Sequence, residues 1–237
     1  QPVSAGSYSV AVTVNDLNYT GTATATLVVQ KAAAQVTIAA ASLTQTYNGA
    51  AKSVTVTTVP AGLTTAITYN GNAAQPVNAG SYAVVATVSD PNYTGSASAT
   101  LVVQKAPATA TTGIYVINKG AALPTFTATY GGLLGGQNAS VVTSVTFTLS
   151  PSCTGNAGVY AIIVNATAAN YTFTSVNGTL YINPAGSGTK QVKPNFICAE
   201  ALSAPGPGGY MYLAHFTYTN QNATAVYIPV GANNSVT

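Results

Sequence analysis

Apolar and hydroxyl-bearing side chains alternate along this chain in short runs. In residues 1–32, Tyr8, Val10, Val12 and Val14 alternate with Ser9, Ala11, Thr13 and Asn15. After a turn at residues 16–19, Ala23, Ala25, Leu27 and Val29 resume the pattern. A period of two puts the Tyr and the three Val on one face, which predicts two half-buried strands joined by a turn. Similar runs predict strands at residues 35–39, 53–57, 66–69, 140–149, 195–199, 209–220 and 224–230, and a strand ending in a Gly-rich turn at 124–136. Turns fall at Tyr47-Asn48-Gly49, Pro60-Ala61-Gly62 and Asn70-Gly71. Helical periodicity is absent, and the many Thr and Val residues stiffen χ1 and favour strands. Short strands closely punctuated by turns predict an all-β fold of immunoglobulin-like β-sandwiches.

The pattern repeats. Residues 75–106 (QPVNAGSYAVVATVSDPNYTGSASATLVVQKA) nearly duplicate residues 1–32 (QPVSAGSYSVAVTVNDLNYTGTATATLVVQKA), and a diverged copy runs from NAGVY at 156–160 through NYTF to LYINPA at 180–185. Self-similarity at a fixed period marks a modular array. The expected domains are the C-terminal half of a module at 1–32, complete modules at 33–106 and 107–185, and a linker with the N-terminal part of a further β module at 186–237. Linkers are expected at residues 31–33, 105–107 and 186–189. A mid-repeat beginning at Gln1 suggests a window on a longer chain, the alternative being a subunit completed by strands from its neighbours.

Each copy carries Gly two residues before Tyr: Gly6 and Tyr8, Gly80 and Tyr82, Gly158 and Tyr160. Immunoglobulin-like sandwiches place a Tyr near the start of strand F with its hydroxyl bonded to backbone a few residues upstream. These six residues are therefore expected to be structural corners, with the three tyrosines buried.

Charge narrows the function. Only 4% of residues are Asp, Glu, Lys or Arg, against about 25% in an ordinary domain. Solubility must rest on Thr, Ser, Asn and Gln, a composition suited to a secreted surface protein. A net charge of +3, scattered over lysines without a single Arg, excludes a nucleic-acid footprint. Apolar runs stay short of the ~18 residues of a spanning helix, so no membrane insertion is expected.

Candidate chemistry is sparse. Acid–base or nucleophilic catalysis needs converging groups. Asp16 and Asp90 are copies of one turn position, and Glu200 with His215 reads as a surface pair, so no enzyme, metal site or cofactor is expected. Cys153 and Cys198 are candidates for a disulfide across the joint near Gly186, which an oxidising compartment would permit. Against it, Cys198 lies well into its strand, roughly 25 Å from the joint, and two buried free thiols or a partner for Cys198 beyond Thr237 are the alternatives. A Lys–Asn isopeptide clamp would need Lys, Asn and an acid in one core, whereas Lys52, Asp90 and Lys105 read as turn and linker residues. Asn-x-Ser/Thr triplets at Asn18, Asn92 and Asn170 follow from the shared turn. Tyr115, Tyr130, Tyr181, Tyr210, Tyr212 and Tyr218 lie outside the corners and are the candidates for a carbohydrate-binding platform.

The module with YNGAAKSVTVTTVPAGLTTAITYNG, NAGSY and NYTG resembles the MBG-type bacterial immunoglobulin-like repeats, and the next, with ATYGGLLGG, NAGVY, NYTF and NGTLYINPA, resembles their YGX variety. The closing YLAHFTYTNQNATAVYIPVGANN is similar to a β module found beside them in giant secreted proteins of Bacteroidota-like bacteria. The resemblance implies the stalk of an extracellular adhesin or surface filament, attached to the cell or in a secreted filament, with type IX export among the routes. It brings no catalytic residues. The implied partners are further modules of the same chain or neighbouring fibre subunits, with glycans or host and abiotic surfaces as the targets of a competing, binding role.

Overall fold

A computed structural model describes residues 1–187, 189–204 and 211–227. The chain is all-β and divides into two compact units, Gln1–Ala106 with Ala169–Tyr171, and Pro107–Ala168 with Thr172–Thr237. Its only helical turns are two three-residue 3-10 turns among the described residues, and none is long and apolar enough to cross a membrane.

The first unit opens with an antiparallel hairpin of β1 (Gly6–Thr13) and β2 (Thr22–Val29), whose register sets Tyr8 opposite Leu27 and Val10 opposite Ala25. A complete sandwich follows: β3 (Ala32–Ala33), β4 (Gln35–Ile38), β5 (Thr44–Thr46), β6 (Val56–Val59), β7 (Thr65–Tyr69), β8 (Gly80–Val88), β9 (Tyr93–Thr94) and β10 (Ser96–Gln104). One sheet has the order β5-β10-β8-β7, and the β4–β6 pair packs over it, β4 lying against β10 and β8. Between them lie Val84, Ala86, Leu101 and Val103, each at most 2% exposed.

The two near-identical hairpins thus meet different fates. Val10, Val12 and Leu27, the copies of Val84, Ala86 and Leu101, are 39%, 62% and 44% exposed. The period-two pattern selects the face; only covering strands bury it.

The second unit contains β11 (Ala106–Thr112, its first residue in the first unit), β12 (Ile114–Asn118), β13 (Ala128–Gly131), β14 (Val142–Ser150), β15 (Gly158–Ala168), β16 (Tyr171–Val176) and β17 (Gly178–Asn183). Sheets β13-β11-β16 and β12-β17-β15-β14 form its sandwich. Tyr160, Ile162, Leu180 and Ile182 make the core cluster, with Tyr115, Ile117, Phe126, Phe147, Leu149 and Cys153 packed on it. A separate ribbon pairs β18 (Lys193–Ala201) with β19 (Tyr212–Thr219).

Several expected elements move. The strand expected at 53–57 begins at Val56, because Val54 N–H is taken by the Tyr69 hydroxyl (3.2 Å) and Thr55 N–H by Ser42 Oγ (3.0 Å). The expected linkers are partly strand: Ala32 pairs in parallel with Tyr93, and Ala106 opens β11. Within the expected strand at 224–230, residues 224–227 are not strand, and 228–230, like 209–210 of the preceding one, lie outside the described residues.

Candidate functional site

The three corners form as one device. Tyr8 Oη donates to Ser4 O, Tyr82 Oη to Asn78 O and Tyr160 Oη to Asn156 O, each at 2.8 Å and four residues back. The corner glycines Gly6, Gly80 and Gly158 are the first residues of β1, β8 and β15. Gly6 and Gly80 sit at φ of 156° and 158°, on the edge of the region L side chains avoid, so these two corners suit glycine. Burial corrects the expectation: Tyr160 is buried in the core cluster of its module, but Tyr8 and Tyr82 are half-buried.

Beyond the strands that the first two corners start, the chain reverses through an Asx turn; in the third copy Ala168 stands at the Asp position. Asp16 Oδ1 accepts from Asn18 N (2.7 Å) and Tyr19 N (3.1 Å); Asp90 Oδ1 accepts from Asn92 N (2.8 Å) and Tyr93 N (3.1 Å). These carboxylates are occupied in closing turns. The amides of Asn92 and Asn170 point elsewhere: Asn92 Oδ1 accepts from Ala5 N (2.8 Å), and Asn170, in the Ala169–Tyr171 turn that packs in the first unit, accepts from Ala79 N (2.8 Å). At Asn92 nothing announces this contact, because Asp90 alone accounts for the turn, whereas the turn at Asn170 keeps the Asn without the Asp.

Lys52 is neither exposed nor a turn residue. It is 6% exposed, its Nζ donates to Asn48 Oδ1 at 2.6 Å, and its backbone N–H to Pro76 O at 2.8 Å. Burying an ammonium is costly unless it is hydrogen-bonded, and Asn48 supplies that acceptor. His215 Nε2 lies 3.1 Å from Glu200 Oε2 in a solvent-exposed pair on β18 and β19. Among the described residues, no three His, Cys, Asp or Glu side chains gather to hold a metal.

The disulfide pairing of Cys153 with Cys198 is not formed. Both thiols are free: Cys153 packs against the Tyr160–Ile182 cluster, whereas Cys198 is exposed on β18, opposite His215. The non-corner tyrosines do not make one platform. Tyr115 bonds Thr127, Tyr130 packs on Phe173, and Tyr181 stacks on Tyr227 with centroids 4.4 Å apart. Tyr212 and Tyr218 are exposed on β19, six residues or about 20 Å apart. Tyr210 lies outside the described residues.

The Tyr115 hydroxyl is more acidic than an ordinary tyrosine. Thr127 Oγ1 and Thr127 N–H, with a smaller contribution from the Thr112 side chain, hold it below the usual tyrosine range.

A family model described as the MBG domain matches residues 1–33 and again 34–107, and one described as the MBG domain of YGX type matches residues 108–181. No curated protein matches the chain.

Proposed function

The chain belongs to the MBG domain family, repeated in tandem over residues 1–181, and on that premise we propose that it is a stalk section of a long extracellular adhesin or surface filament, holding a distal binding element away from the cell. The observation that carries this reading is the serial construction. Each complete module closes its own core, around Val84 and Leu101 in one and Ile162 and Leu180 in the other, and the same corner recurs in all three copies. Low charge suits the role, because little of the stability can be screened by salt. The chain acts mechanically, without catalysis, and its partners are neighbouring modules or subunits.

Deleting one module, residues 34–107, from the native surface protein tests this. A nine-residue strand such as β8 spans about 30 Å, so an epitope beyond the deletion should be displayed closer to the cell by a distance of that order. An unchanged distance overturns the reading.

A further inference from the structure

The Asn of the Asx turn has a task outside its own module. Asp90 closes the turn by itself, leaving the Asn92 side chain spare, and Asn92 Oδ1 reaches Ala5 N–H, 87 residues away in sequence. The atom that meets this N–H must be the acceptor oxygen. Asn170 does the same to Ala79 N–H, and its Nδ2 donates to Asn78 Oδ1 at 3.0 Å. Ala5 and Ala79 are copies of one position, the residue between the carbonyl that holds the corner tyrosine and the corner glycine. These two corners are therefore held twice: the carbonyl by its own Tyr, the adjacent N–H by an Asn of the following repeat.

Backbone contacts complete the joint between the first hairpin and the module after it, both within the first unit. Ala32 N donates to Asn92 O and Ala34 N to Thr94 O, each at 2.8 Å, and Lys31 Nζ donates to Asp90 O at 2.7 Å. In the second unit Asn222 grips the linker instead: Oδ1 accepts from Lys190 N (2.8 Å) and Nδ2 donates to Lys190 O (2.7 Å). There Asn220 takes the turn-closing part of Asp90, accepting from Asn222 N at 3.0 Å. The remaining copy, Asn18, makes no side-chain hydrogen bond among the described residues, and its neighbour Tyr19 is 72% exposed.

We propose that Asn92 is a joint-setting positioning residue, whose oxygen captures the backbone N–H of an Asn/Ser-Ala-Gly-x-Tyr corner and fixes the orientation of one repeat on the next. The partner surface is thus the corner of a module of the same type, recognised through backbone and neutral amides. Asn170 is its counterpart at the Ala79 corner. This deepens the stalk reading and rests on it for its purpose; display distance after module deletion depends on module number whether or not joints are ordered, so the two ideas fail separately.

The test uses the whole chain with Asn92→Ala, Asn92→Asp, Asn170→Ala and Asn18→Ala. Amide hydrogen exchange is read at Ala5 and Ala79, and residual dipolar couplings across β1–β2 and β7, β8 and β10. In N92A, exchange at Ala5 should rise about tenfold, and the hairpin couplings should no longer fit the alignment of the following module. N92D, which keeps an acceptor, should retain both, and N18A should change neither. N170A should speed exchange at Ala79 alone. Amides at Val84 and Leu101 should hold steady throughout, separating loss of the joint from loss of the fold. Unchanged Ala5 exchange and couplings in N92A, N92D behaving like N92A, or unchanged Ala79 exchange in N170A would each overturn the proposal.

Discussion

Leu27 and Leu101 allow a controlled measurement of what burial contributes, because nature has placed one residue twice in nearly one sequence context. Both lie opposite a corner tyrosine, Tyr8 and Tyr82, in antiparallel hairpins of the same register. Leu101 is fully buried beneath the β4–β6 pair, and Leu27 is 44% exposed. Truncating Leu101 to Ala removes transfer free energy and leaves a cavity between two packed sheets, so the expected cost is about 3–4 kcal/mol. The same change at Leu27 forfeits only part of the transfer term, and solvent fills the space, so about 1 kcal/mol or less is expected there. Native-state hydrogen exchange of β8 and β10 amides would read the first variant, and that of β1 and β2 the second. Equal costs at the two positions, or a larger one at Leu27, would refute the claim that covering strands, and not the hairpin sequence, supply the stability.

Other expectations follow from contacts already described. An added Cβ at Gly95 would collide with the backbone oxygen of Ala34, whereas at its copy Gly21 the nearest atom is Val14 Cγ2 at 3.5 Å; Gly95→Ala should cost about 1–3 kcal/mol and Gly21→Ala within about 0.5, by thermal denaturation. Tyr82→Phe leaves Asn78 O without its donor and should lower stability by about 1 kcal/mol in urea titrations. Tyr115 should ionise below the usual tyrosine range in an ultraviolet titration, and Tyr115→Phe should delete that step. Because its folded pKa is depressed, its contribution to stability is fully present only above the unfolded-state pKa and is lost as pH falls through the folded value. With only 4% of residues charged and the His215–Glu200 pair exposed, the melting temperature should barely move between low and high salt; a shift of many degrees would contradict a nearly neutral, unscreened fold.

How much was legible depended on whether a signal was local. The corners at Tyr8, Tyr82 and Tyr160 could be read because Gly, Tyr and the alternation beyond them lie within a few residues, and their bonds span only four. The Asn92 contact could not, since its partner is 87 residues away and the Asn-Tyr turn is fully explained by Asp90. The burial of Lys52 is hidden for a related reason: a lysine shortly after the Asn48-Gly49 turn looks like a turn residue until Asn48 and a backbone carbonyl are seen to hold it in a buried place. The edge strands β5 and β12 are not legible, because β5 is only three residues long and β12, IYVIN, opens with an unbroken apolar run without alternation. The exposure of Val12 was equally invisible, because alternation reports which face is apolar and not whether anything lies on it.

Those two short edge strands have a consequence for a chain under tension. In each sandwich an early strand runs parallel to the last: β5 beside β10 over three residue pairs, and β12 beside β17 over five. A pull applied at the two ends of a module draws such neighbours in opposite directions along their own length. Their hydrogen bonds are then loaded side by side in shear, and must give way together, whereas a hairpin peeled from its end yields one rung at a time. With fewer rungs in that clamp, the repeat at 34–107 should extend before the repeat at 108–181 when the chain is stretched in a single-molecule force experiment.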